Sequence, residues 1–152
     1  IRVSVPNGGE RWDVGTPHDI TWTTTGTVGN VNIEYSTDNG STYTTIVSST
    51  TNDGLYSWTV PSDAVVSSSC LVRISEDGGT VADESNNVFS ITPIIAITSP
   101  DSGDQWEADS TQAVTWSITG TVSGNIVLEY STDNGANYNT IAVSGNDGSF
   151  DG

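Results

Sequence analysis

The chain repeats itself. Trp12, Trp22 and Gly26 recur as Trp106, Trp116 and Gly120, and Tyr35, Tyr43 and Ile46 recur as Tyr130, Tyr138 and Ile141. The spacing is 94 residues for the first set and 95 for the second, which places a one-residue insertion near Gly124. The segment EYSTDNGSTYTTI answers to EYSTDNGANYNTI, and NDGLYSW to NDGSFDG. Self-similarity at a fixed period means that one supersecondary unit is used more than once. A unit of about 94 residues is large enough to bury its own core. The expected division is residues 1–93 and 94–152. The join, VFSITPIIAITSP, is β-branched and carries Pro without a Gly/Ser linker, so a stiff rod is expected rather than loose beads.

Within the first repeat, apolar residues alternate with polar ones in short runs, the period of a half-buried strand. IRVSV places Ile1, Val3 and Val5 on one face, DITW pairs Ile20 with Trp22, and VNIEY aligns Val31, Ile33 and Tyr35. LYSWTV is closed by Pro61. CLVRIS points Cys70, Val72 and Ile74 inward and Leu71 and Arg73 outward, and NVFSI points Phe89 and Ile91 inward. Turn-forming clusters separate these runs at Pro6–Gly9, Asp38–Gly40, Asn52–Gly54 and Asp77–Gly79. No stretch has a helical period. The expected fold class is all-β, two tandem immunoglobulin-like antiparallel sandwiches. The second is expected to be incomplete at its C-terminus, because counterparts of Thr59–Thr92, which include CLVRIS and NVFSI, do not follow it. An unfinished sandwich exposes an apolar groove and unpaired backbone groups beside Val127–Ser131. Three explanations are open: strands donated by another chain, a segment of a longer polypeptide, or swapped contacts at the open edge.

Composition narrows the function classes. Three Arg and no Lys stand against 19 Asp and Glu, for a net charge of −16, so neither a phosphate backbone nor an anionic membrane surface is an expected partner. No apolar run approaches a membrane span. One Cys excludes an internal disulfide. The 22 Thr and 21 Ser, with the absence of Lys and Met, point to an extracellular or cell-surface protein, and the start at Ile1 reads as a mature form or a fragment.

The run VPNGGERWDVGTPHDITW, followed by a Gly-bearing turn, VNIEYSTDNG and LYSWTVP, resembles the Kre9/Knh1-like, Ser-Thr-rich cell-surface domain, which bacterial extracellular proteins carry in tandem. The resemblance implies a cell-wall or surface protein, often glycosylated, and supplies no catalytic residues. In the second repeat the opening turn departs to Pro100-Asp101-Ser102-Gly103-Asp104.

Individual motifs have structural explanations ahead of functional ones. Ser36–Tyr43 has the form of an Asp-box, S-x-D-x-G-x-T-aromatic, and Ser131–Tyr138 is a weaker copy with Asn137 in the Thr place; both are expected to be hairpin devices. Trp22 and Trp116 belong to the core pattern, whereas Trp12 and Trp106, in Gly/Asp-rich surroundings, are the candidate carbohydrate contacts. The acids of Glu76–Glu84 make Ca2+ the one metal to consider, but lack a recognisable loop spacing, and a solvated loop is the expectation. Lone His18 has no partner for a metal, and Cys70 reads as a buried thiol. Asn39-Gly40-Ser41 is an N-glycosylation sequon on a hairpin tip.

No motif for nucleophilic, metal or phosphate chemistry occurs, and the expectation is a non-enzyme without cofactor. The expected function is an extracellular structural module, a stalk or a filament subunit, assembled through β-strand contacts with copies of itself or neighbouring repeats, strand donation included. The alternative is a carbohydrate-binding or adhesion module with glycans as partners.

Overall fold

The computed structural model describes residues 1–151. Fourteen strands and no helix form among the described residues, so no helix is long and apolar enough to cross a membrane. In chain order the first repeat forms β1 (Arg2–Val5), β2 (Arg11–Asp13), β3 (Pro17–Thr23), β4 (Val31–Ser36), β5 (Thr44–Thr50), β6 (Leu55–Thr59), β7 (Ser67–Glu76), β8 (Ala82–Glu84) and β9 (Phe89–Thr92). The second forms β10 (Ile94–Ser99), β11 (Ala113–Thr119), β12 (Ile126–Tyr130), β13 (Asn139–Ser144) and β14 (Ser149–Asp151).

The first nine strands make two sheets. One has the order β1-β3-β6; the other runs β2-β9-β7-β4-β5, with β8 added beside β7. All pairings are antiparallel except β2 with β9, which is parallel. Alternation drives the two sheets together: Val3, Ile20 and Trp22 from one meet Ile33, Val72, Ile74, Phe89 and Ile91 from the other in one buried cluster. This is an immunoglobulin-like sandwich. Trp12 lies in the same cluster, tilted against Phe89 and edge-on to Trp58.

Two expectations about facing change. Val5 is 37% exposed although Val3 is buried, because the β1–β3 register shifts between them and a bulge breaks the period of two. Leu71, expected outward, is only 7% exposed. It does point away from the sandwich core, but the hairpin after β4 folds over it: a Cβ on Gly40 would lie 3.5 Å from the Leu71 Cδ1. Strand alternation chooses a face but not what covers that face.

The second repeat reuses the same order as far as it extends. Its sheet β10-β11-β14 matches β1-β3-β6, with a bulge at the equivalent place, between Ile97 and Ser99. The β12–β13 hairpin matches β4–β5. Counterparts of β7, β8 and β9 do not occur among the described residues. Val114, Trp116, Ile126 and Leu128 form a second, smaller buried cluster. Only Pro93 separates β9 from β10. Gly120, at φ +89°, packs on this join: a Cβ there would meet Val14 Cγ2 at 3.0 Å and the Pro93 Cα at 3.4 Å. Both the left-handed backbone and the contact require glycine. Gly120→Ala is therefore expected to lower stability by about 1 kcal/mol or more, measured as a shift of the urea midpoint at unchanged slope; an unchanged midpoint contradicts the packed join.

Candidate functional site: the groove of the second repeat and the paired hairpins

Both Asp-box hairpins close by the same network. Ser36 Oγ donates to Asp38 Oδ1 (2.7 Å) and accepts from Gly40 N (2.9 Å). Asp38 then accepts from Thr42 N (2.8 Å) and Thr42 Oγ1 (2.7 Å). In the copy, Asp133 accepts from Asn137 N (2.9 Å) and Asn137 Nδ2 (2.6 Å), so the amide of Asn137 replaces the hydroxyl. The side-chain donor, with the backbone donor next, holds both carboxyls down at about 2. The carboxylate charge is spent on its own turn, which is the structural role expected from sequence.

The aromatic of each box differs in its surroundings. In the first repeat, Tyr43 lies under the Arg73 guanidinium, 3.9 Å from Cζ to the ring centroid, and donates its hydroxyl to Glu84 Oε2 (2.6 Å). Burial, then the bond to Glu84, push this phenol up to about 12. Arg73 also donates through Nη2 to Glu34 Oε2 (2.7 Å), its register partner across the β4–β7 ladder. Arg73 thus ties β4, β7 and the hairpin together from outside the core. Among the described residues, the equivalent Glu129 and Tyr138 of the second repeat have no cation beside them.

Trp12 and Trp106 separate in the same way. Trp12 is 5% exposed and stacks on His18 at 4.7 Å, with no free face for a sugar. Trp106 is 43% exposed. The reason is topological. Trp12 stands in β2, which is held parallel to β9; without a β9 counterpart, the segment around Trp106 forms no strand and leaves its indole at the surface. Ile97 is 67% exposed where the equivalent Val3 is 1%, and Tyr130 is 50% exposed. These side chains line a groove of about 610 Å3, floored by Trp116 and Leu128. One edge of it is β12, which among the described residues pairs with β13 alone.

The remaining candidates have local roles. In the acidic segment, Asp83 Oδ2 accepts from Val3 N (2.8 Å), and Glu76 Oε1 from Gly29 N (3.4 Å). No group of three or more His, Cys, Asp or Glu that could hold a metal occurs among the described residues. His18 Nε2 lies 2.9 Å from Thr16 Oγ1, and burial pulls its pKa down against the charges of Asp13 and Asp19. Burial pushes the Cys70 thiol up, so it stays protonated at neutral pH. Asn39 is exposed at the hairpin tip, with only its backbone N–H bonded, to Ser69 O (2.9 Å). Sequence reasoning missed the Glu34–Arg73–Tyr43 set. The pairing of Glu129 and Tyr138 with the repeated Glu and Tyr was legible, but their link to Arg73 depends on strand register.

A carboxyl held below its unfolded value stabilises the fold above that value and loses the contribution as pH falls through about 2. Carboxyl NMR titration should place the Asp38 and Asp133 midpoints near 2, and Thr42→Val should raise that of Asp38 alone. An Asp38 midpoint in the ordinary range near 3.8 contradicts the network.

No curated protein matches the chain. Among solved structures, the fibronectin(III)-like modules of Clostridium thermocellum CbhA are similar at 20% identity over 99% of this chain and 76% of that one, with a TM-score of 0.36. At that score the fold rests on the strand order described above and not on the likeness. Residues 5–91, more than half of the sequence, match the Kre9/KNH-like N-terminal Ig-like domain, and the chain belongs to that family.

Proposed function

We propose that the chain is a non-catalytic extracellular structural module, a length of stalk, surface layer or filament, whose units join through β-strand contacts. The observation that carries this reading is the join: one residue between β9 and β10, with Gly120 packed against Val14. A short packed junction transmits force along the chain, whereas a flexible linker would absorb it. Family membership supports a secreted or cell-surface setting. A charge of −16 and a surface rich in Ser and Thr oppose aggregation of a protein with open strand edges. Asn39 is the proposed glycan acceptor, since its carboxamide is exposed on a turn. Copies of the chain or neighbouring repeats are the proposed partners.

The test is stiffness. Spin labels on Ser48→Cys and Ser117→Cys, both exposed and in different repeats, with buried Cys70 left in place, should give one narrow distance distribution by pulsed electron resonance. A broad distribution would show loose beads and sink the reading.

A second reading, a carbohydrate-binding module, is favoured by one observation, the exposure of Trp106 on the wall of an apolar groove. On a glycan array the structural reading expects no retention that depends on this indole. Retention abolished by Trp106→Ala would transfer the function to binding.

A further inference from the structure

We propose that the fold guards its three Asn-Gly sequences against deamidation: at Asn7, Asn39 and Asn134 it holds the N–H of the following glycine on an acceptor that opposes the anion through which the reaction runs. This goes beyond the reading of the chain as a structural module and does not depend on it.

Asn-Gly is where this chemistry is least hindered, because glycine has no Cβ to crowd the approach. The glycine nitrogen gives its proton to solvent base and attacks the asparagine Cγ. A bond forms between them, the carboxamide nitrogen leaves as ammonia with a proton from water, and water then opens the cyclic imide at either carbonyl. The product is aspartate or isoaspartate, and nothing is oxidised or reduced. Either product adds negative charge to a chain already at −16, and isoaspartate also lengthens the backbone of a tight turn by a methylene. Asn39 and Asn134 are exposed and Asn7 is half-buried, so water has access to each.

In the first hairpin Gly40 N donates to Ser36 Oγ (2.9 Å). That oxygen acts only as an acceptor there, because its own proton lies on Asp38 Oδ1 (2.7 Å). An amide anion at Gly40 would lose its bond and face an oxygen lone pair with a carboxylate behind it. The second hairpin repeats the device: Gly135 N donates to Ser131 Oγ (2.8 Å), whose proton lies on Asp133 Oδ1 (2.8 Å). At the third sequence the means differ and the result is the same. Gly8 N donates directly to Glu10 Oε2 (2.8 Å) while Asn7 N takes Oε1 (2.7 Å), so an anion at Gly8 would meet a carboxylate. The Asn7 carboxamide is itself held, its Oδ1 accepting from Asn86 N (2.8 Å). Every Asn-Gly in the chain is closed by a side-chain acceptor, two by serine and one by glutamate.

The test uses the full chain, made in a host without N-glycosylation and incubated at mildly alkaline pH. Peptide mapping by mass spectrometry follows amide-to-acid conversion at each asparagine, folded and in urea. All three should convert about tenfold or more slowly in the folded chain. The N–H groups of Gly40 and Gly135, whose base-catalysed exchange passes through the same anion, should be protected in parallel. Ser36→Ala removes one acceptor and should speed Asn39 about tenfold, the factor that one such bond is worth, with Asn134 unchanged as an internal reference. Thr42→Val loosens the same hairpin but keeps the bond from Gly40 to Ser36, and should leave Asn39 slow, which separates the guard from rigidity. Glu10→Gln removes the charge facing Gly8 and should speed Asn7 alone, independently of either hairpin. Equal rates folded and in urea, no acceleration by Ser36→Ala in a chain that amide NMR shows to be folded, or no acceleration by Glu10→Gln would overturn the proposal. So would equal acceleration of Asn39 by Thr42→Val, or acceleration of Asn39 and Asn134 together by Ser36→Ala, since both mark general loosening.

Discussion

The pairing of β7 on β4 is the contact on which the first repeat depends. β7 is the longest strand, and it carries three tasks at once. Its inward side chains fill the space between the sheets, its backbone saturates the edge of β4, and it holds β8 and β9 in place. β9 in turn holds β2, so Trp12 is buried only because β7 is there to start the sequence of pairings. Non-local pairing of this kind makes the core a collective property, in which burial of one residue requires strands far away in the chain.

The second repeat shows what such a sheet is without that strand. Its residues are of the same types, yet Trp106 and Ile97 are open where Trp12 and Val3 are sealed. The polar bookkeeping loosens as well. Trp22 Nε1 donates to Asn52 Oδ1 (2.8 Å), but Trp116 Nε1 is buried with no acceptor, although Asn146 still donates to Val122 O (3.2 Å) as Asn52 does to Val28 O. An unpaired buried N–H costs about 1–3 kcal/mol.

Much of the fold was legible because the signals were local. Alternation places Ile20, Trp22, Ile33, Phe89 and Ile91 in the core, Asp-Asn-Gly marks both hairpins, and the repeat marks the join. The failures came where one residue broke a period or a distant segment covered a face: the bulge that turns Val5 outward, and the hairpin that hides Leu71. Of the site, Trp106 was recognisable as an exposed candidate, but Trp12 was paired with it by sequence symmetry, and the structure separates them. Glu34 and Tyr43 share the repeated segment, but Arg73 lies outside it in β7, so only the strand register brings it to them.

The sequence by itself determined that the chain is all-β, that one sandwich plan is used twice, and that its surface is strongly acidic, because period, turn chemistry and charge count are properties of neighbouring residues. Only the tertiary structure decided which of two matching tryptophans is covered and which glutamate and tyrosine meet Arg73. Those outcomes are set by which strands lie side by side, and hydrogen-bonded register between segments tens of residues apart leaves no trace in local pattern.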